Sequence, residues 1–239
     1  TRKFRDYGKL SHKDLDNMQT GLRMLAVTGE DQKEDPLDFV LWKPKKEGEP
    51  FWESPWCQGR PGWHIECSVM SKEYIGDTID IHAGGEDLVF PHHENEIAQS
   101  EAANCCTFAR YWMHNAFLNI DNRKMSKSLG NFFTVRDILD QYDGQVLRYF
   151  MLTVHYRSPL NFSRELMEAA KTSYERIVNC AENLRFLLEK ASGTMTEEEK
   201  AIAGQADAYR VRFEEAMDDD FNTANALSAI FELVTFINS

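Results

Sequence analysis

Two lysines three positions apart, in Lys124-Met125-Ser126-Lys127-Ser128, are the residues of this sequence most suited to phosphate chemistry. On a loop, two ammonium groups can clamp the charge that builds on a polyphosphate leaving group, acting on the transition state more than on the ground state. The same five residues also suit a basic surface turn. His92 and Glu96 stand four apart on a predicted helix and so share one face, and Cys67 precedes His92 by 25 residues. Cys, His and Glu are competent zinc ligands, and three of them make an incomplete tetrahedron whose fourth position is left for substrate or another residue. Separately, each is equally ordinary as a core thiol, a satisfied polar group or a solvated helix face. His93 competes with His92, but its i+4 neighbour is Ile97, which turns that face toward apolar packing. In His82-Ala83-Gly84-Gly85-Glu86-Asp87, glycines at a strand end let backbone approach a ligand closely, and a nearby carboxylate can accept from ribose hydroxyls. A tight turn exposing Glu86 and Asp87 explains the same residues.

The elements that must position these groups alternate. A short helix from His12 to Leu25, capped by Ser11, and a turn at Thr28-Gly29-Glu30-Asp31 precede a strand-like Phe39-Val40-Leu41-Trp42 and the basic turn from Lys43 to Pro50. The pattern predicts a helix from Trp63 to near Gly76, a buried strand over Ile79–Ala83 broken by Gly84-Gly85, and a second helix opening near Pro91. A strand-like stretch from Tyr111 to Ile120 leads into the lysine loop, and Thr134 with Asp137 forms a capping-box start. Helix, strand, glycine turn, helix is an α/β pattern. From Ser163 onward the pattern is helical, with Leu166, Ala169, Ala170, Tyr174, Ile177, Ala181, Leu184 and Leu188 as the stripe of a bundle helix. Ser192-Gly193-Thr194 separates it from a helix near Glu197, and Asp218-Asp219-Asp220 reads as punctuation before a helix capped by Asn222 or Thr223.

With 239 residues, 42% hydrophobic and 12% aromatic, the chain can bury a substantial core. No apolar run has the length of a membrane span, and Thr1-Arg2-Lys3-Phe4-Arg5-Asp6 lacks a signal-peptide core, so a cytoplasmic location is expected. Five cysteines without a regular framework read as reduced thiols, and Cys57, Cys105, Cys106 and Cys180 as core packing. A formal charge of −12 argues against holding nucleic acid by bulk electrostatics, while leaving room for a local basic face.

Four segments, in order and spacing, closely resemble the cysteinyl-tRNA synthetase family: Pro61-Gly62-Trp63-His64-Ile65-Glu66-Cys67-Ser68, Asp80-Ile81-His82-Ala83-Gly84-Gly85, Phe90-Pro91-His92-His93-Glu94-Asn95-Glu96, and Lys124 to Asn131. The likeness runs from Asp35-Pro36-Leu37 through Asp220-Phe221-Asn222-Thr223. It implies an α/β fold: the second half of a class I synthetase Rossmann-like catalytic domain, followed by an α-helical bundle. Its implied divisions are the end of a connective insertion (1–57), the catalytic half with the zinc site (58–110), the signature-loop, stem-contact region (111–162) and the bundle (163–239). Cys67, His92 and Glu96 are implied to bind one zinc ion per chain, and Lys124 and Lys127 to be catalytic. Lys127, Gly84 and Asp87 would bind ATP, used as substrate with Mg2+, and Trp63 and His82 would line the amino-acid pocket. Cysteine, ATP and the tRNA that accepts cysteine are the implied partners, with a monomer expected. Zinc would serve selectivity, because a thiol binds it readily as thiolate and the serine alcohol does not.

Family members carry an N-terminal nucleotide-binding half with a His-Ile-Gly-His signature and a further cysteine ligand, and none of the seven histidines here has that context. An interior piece that activates cysteine poorly in isolation is therefore expected, with water or Cys57 in the fourth ligand place. Tyr156, Arg157 and Ser158 could face an acceptor stem or form a solvated loop. Two other functions fit the motifs: a cysteine ligase of mycothiol synthesis, and a non-catalytic zinc-binding or tRNA-contacting module. The helical segment ending in Asp218 to Thr223 favours the tRNA enzyme over the first. An encoded upstream segment with His-Ile-Gly-His would exclude the second.

Overall fold

A computed structural model describes residues 1–17, 33–125 and 133–239, which divide into two compact units, Thr1–His114 and Asn115–Ser239. In the first, β1 (Trp42–Pro44) pairs antiparallel with β2 (Gly59–Pro61), Trp42 opposite Pro61. Helix α1 (Trp63–Tyr74) follows, then β3 (Ile79–Gly85), a 3-10 turn at Glu86–Leu88, a π turn at Val89–His93 and α2 (Glu94–Asn104). Strand β4 (Ala109–Asn115) lies beside β3, and the Ile79 amide donates to the Phe108 carbonyl at 2.8 Å. Ile79, Ile97, Phe108 and Ala109 form the buried core, onto which Phe4, Leu10 and Trp112 pack.

Over residues 12–17, the described part of the predicted helix, the chain departs from it. A single 3-10 turn spans Leu15–Asn17, His12 has a positive φ of 54°, and the remainder from Met18 lies outside the described residues, as does the turn at 28–31. The left-handed φ of His12 is incompatible with a helix opening there, and the residues just before it are held elsewhere. The Ser11 and Gly8 N–H groups donate to the fully buried carboxylate of Glu94, at 2.8 and 2.9 Å, so the backbone wraps Glu94. Gly8 is required there, with φ of +99° and an added Cβ only 2.0 Å from the Lys13 carbonyl oxygen.

Other boundaries shift. The strand expected at Phe39 starts at Trp42, and Gly84 and Gly85 continue β3 where a break was expected. Strand β3 is also less buried than expected: Ile79 is inside, but Ile81 is 54% exposed. Pro91 does not open the second helix, because Phe90 is extended and the π turn precedes α2, which starts at Glu94.

In the second unit β5 (Leu118–Ile120) is central between β6 (Arg123–Lys124), antiparallel to it, and β7 (Leu160–Phe162), parallel to it. The expected strand over 111–120 is thus two strands, β4 and β5. Helix α3 (Val135–Leu139) starts at the Thr134–Asp137 capping box as predicted, and α4 (Gly144–Leu152) is capped by Asp143. Long helices follow: α5 (Arg164–Lys190) capped by Ser163, α6 (Glu197–Asp218) capped by Thr196, and α7 (Thr223–Ile237) capped by Asn222. Ile138, Tyr142, Val146, Tyr149, Phe150, Leu160, Met167 and Ala170 make its core. The predicted stripe of α5 holds in part: Ala170 is buried and Tyr174 and Ile177 pack against the core, while Met167 and Cys180 are buried and Leu166, Leu184 and Leu188 are exposed.

Candidate metal centre

The Trp63-His64-Ile65-Glu66-Cys67 turn of α1 and the π turn entering α2 face each other, and Ser68 Oγ donates to Gln99 Oε1 at 2.9 Å between the two helices. This brings together Cys67, His92 and Glu96, whose ligand atoms all lie within 4.8 Å of one another. Cys67 Sγ is 3.6 Å from His92 Nε2, and Glu96 Oε1 is 2.5 Å from the same nitrogen. His92 is buried and Glu96 fully so.

Electrostatics favour a cation among these atoms. Glu96 Oε1 is buried and accepts no aligned hydrogen bond although His92 Nε2 is 2.5 Å away, so a cation at the triad would satisfy an otherwise unpartnered oxygen. Burial, then the charges of Glu96 and Glu66, pushes the Cys67 thiol up to about 11. A metal ion reverses that preference, because its charge stabilises the thiolate. Burial lowers the His92 pKa although Glu96 opposes the shift, which keeps the imidazole neutral and able to ligate. A thiol, an imidazole and a carboxylate are a zinc-competent set.

Around this triad lie histidines that the sequence did not single out as partners. His64 Nδ1 is 2.8 Å from His92 Nδ1, and burial followed by the proximity of His92 lowers the His64 pKa to about 4. His93, set aside because of Ile97, is buried with its Nδ1 2.8 Å from His114 Nε2. Its pKa is lowered to about 3 by burial and then by neighbouring imidazoles. His82, His93 and Glu96 form a second group of ligand-type atoms, sharing Glu96 with the first.

The indole of Trp63, 57% exposed, lies against His92 with ring centroids 4.2 Å apart, so it borders the triad on its open side. Gly84 packs on His93, where an added Cβ would meet Cε1 at 2.8 Å. Asp87 is exposed in the 3-10 turn, its Oδ1 against Gly85. Lys124 is the last residue of β6, and Lys127 lies outside the described residues. Among the other thiols Cys180 is buried and Cys57 and Cys106 are half-buried. Cys105 is exposed, contrary to the expected core packing, because it closes α2 in the left-handed conformation with φ of 55°.

The family described as tRNA synthetases class I (C) catalytic domain matches residues 1–172. This chain belongs to that family. A DALR domain match covers residues 212–239 of the same synthetase-family chain. Among curated relatives, the Lachnospira eligens protein named Cysteine--tRNA ligase is 68% identical over 244 residues, covering 100% of this chain and 52% of the relative. The Lachnoclostridium phytofermentans protein of the same name is 59% identical over 248 residues, with coverages of 100% and 52%. The chain thus spans about half the length of the curated relatives it matches. The solved Agrobacterium radiobacter K84 LeuRS-tRNA-LeuAMS complex aligns with a TM-score of 0.63 at 15% identity, over 79% of this chain and 28% of that one. Mycobacterium tuberculosis methionyl-tRNA synthetase in complex with methionyl-adenylate aligns at 0.55 and 21% identity, over 66% of this chain and 33% of that one. At those identities the likeness establishes the class I synthetase fold alone, an α/β catalytic part followed by helices. No helix of the described residues is long and apolar enough to cross a membrane.

Proposed function

We propose that the protein carrying this chain activates cysteine with ATP and transfers it to the terminal ribose of its tRNA. The observation that carries this reading is identity along the whole chain to proteins named Cysteine--tRNA ligase, joined to a thiol, imidazole and carboxylate that converge beside Trp63. In the first step the cysteine carboxylate attacks the α-phosphorus of ATP and pyrophosphate leaves, giving cysteinyl-adenylate. In the second a ribose hydroxyl of the tRNA attacks the cysteinyl carbonyl and AMP leaves.

Cys67, His92 and Glu96 would hold one zinc ion per chain. Bound there, zinc supplies a soft Lewis acid that takes the substrate thiol as thiolate and the serine alcohol poorly. Trp63 covers the His92 ring and shields the amino-acid site from water. Lys124 and Lys127 neutralise the charge of the departing pyrophosphate, with Mg2+ on the phosphates. Gly84 and Asp87 take the nucleoside. In this reading residues 1–57 end a connective insertion, 58–110 complete the catalytic half, 111–162 contact the acceptor stem and 163–239 begin the helical bundle. A monomer in the cytoplasm accords with it.

Cysteine-dependent exchange of pyrophosphate into ATP, measured on the full-length protein, tests the reading. Lys127→Ala should lower exchange by about 100-fold, the size of lost transition-state stabilisation, with little change in the KM for cysteine. Exchange driven by another amino acid and not by cysteine would overturn the proposal.

A further inference from the structure

The two oxygens of Glu96 face different partners. Oε1 lies on the side of Cys67 and His92, while Oε2 is 2.5 Å from His82 Nε2. A carboxylate only accepts, so His82 donates from Nε2. The His82 ring is itself held: it stacks on Trp112 with centroids 4.6 Å apart at 22°, sits 4.6 Å from the His93 ring and meets Phe108 edge-on at 5.6 Å. His93 is tied in turn to His114 and packs against Gly84 closely enough that an added Cβ would clash, so this layer has little room to shift.

His92 has a similar outer contact. Its Nε2 faces Cys67 and its Nδ1 faces His64 Nδ1. Two facing ring nitrogens share one proton. A His92 that offers a lone pair from Nε2 must carry its proton on Nδ1, and so donates to His64.

We propose that His82 and His64 are positioning residues of the metal centre, His82 aiming Oε1 of Glu96 and His64 fixing the ligating tautomer of His92. The proposal rests on the zinc reading above, and it assigns His82 to ligand orientation in place of the amino-acid pocket. The physical reason is pre-organisation: a carboxylate held at one oxygen, and an imidazole held at one nitrogen, reach the ion already oriented. Outer partners of this kind typically contribute about 10- to 100-fold in metal affinity.

The test is competition of the protein with a chromogenic chelator for Zn2+, together with Co2+ absorption spectra, on wild type, His82→Ala, His82→Gln, His64→Ala, His64→Asn and Cys67→Ala. Wild type is expected to bind one ion. His82→Ala and His64→Ala should each weaken it about 10- to 100-fold and shift the Co2+ ligand-field bands, while the thiolate-to-metal band persists. Gln reproduces a group at the Nε2 position and Asn one at the Nδ1 position, so His82→Gln and His64→Asn should recover most of the affinity. That recovery separates orientation from lost packing even if an alanine variant folds poorly.

Unchanged zinc affinity in His82→Ala with a raised KM for cysteine would return His82 to the amino-acid pocket and overturn the assignment. Two ions per wild-type chain, one lost in His82→Ala, would make His82 a ligand together with His93 and overturn it as well. Wild-type affinity in Cys67→Ala would instead sink the zinc reading itself, and the proposal with it.

Discussion

Glu96 is the side chain common to both groups of ligand-type atoms. It is fully buried, shares one oxygen with His82 and directs the other toward His92 and Cys67. A ligand that binds only the folded protein raises its melting temperature, and the size of the rise follows the affinity. Zinc should therefore raise the Tm of wild type, and Glu96→Gln should lose most of that rise in a thermal scan at matched zinc concentration. A rise equal to wild type would remove Glu96 from the ligand set. The convergence of Cys67, His92 and Glu96 was legible in the sequence because the family resemblance singled them out and i,i+4 places two of them on one face. His64 and His114 were not, because their partners stand 28 and 21 residues away and only the return of the chain brings them close. His93, which the sequence turned toward packing, is buried against Trp112 as well as its neighbouring imidazoles.

Among the elements, α5 and the Tyr7–Ser11 loop make the sharpest contrasts. Periodicity correctly predicts a helix from Ser163 onward, but apolar residues at neighbouring positions leave open which of them are innermost. Burial decides it: Met167 is fully buried and Leu166 is 45% exposed. Met167→Ala should cost about 2–5 kcal/mol in urea unfolding, the range for a core truncation, and Leu166→Ala under about 1 kcal/mol. Similar losses at both positions would restore the predicted stripe. The loop is held by Glu94, by Tyr7 Oη donating to Asn95, and by the positive φ of Gly8. Gly8→Ala combines an unfavourable φ with a clash against Lys13 and should destabilise the protein by about 2 kcal/mol or more. Neutrality in the same unfolding assay would show that the loop is not held this way. Caps at Thr134 and Asn222 were readable because a cap is a local matter of side chain and nearby amide.

Within the unit Asn115–Ser239, Asp220 links the turn between α6 and α7 to residues 155–157. It takes two nitrogens of Arg157, at 2.6 and 3.3 Å, and accepts from Tyr156 Oη at 2.7 Å, while its carbonyl accepts from His155 Nε2 at 3.1 Å. The contact joins a segment inside the catalytic-domain match to one inside the DALR match. It gives the Asp218–Asp220 run a structural role beyond helix punctuation, and it engages Tyr156 and Arg157, which the sequence left between a stem contact and a solvated loop. Hydrogen bonds from Arg157 and then Tyr156 hold the Asp220 carboxyl below its ordinary pKa. A lowered folded-state pKa contributes stability above the unfolded value, about 3.9, and loses it as pH falls through the folded value. Wild type should therefore exceed Asp220→Asn in urea midpoint at pH 7 and pH 5, and the gap should close below about pH 4. A gap independent of pH would separate the stability of this turn from the charge of Asp220.

Residue types and their order were enough to indicate the family, the α/β-then-helical class, the three residues proposed to hold a metal and most helix starts, since motifs, short-range periodicity and capping are carried by neighbours along the chain. Folding in three dimensions settled which imidazole meets which partner, that Glu94 gathers the amides of Gly8 and Ser11, and which residues of α5 are innermost. Each of those outcomes is a competition between groups distant in sequence for one buried position, and desolvation, whose cost depends on everything packed around a group, selects the winner.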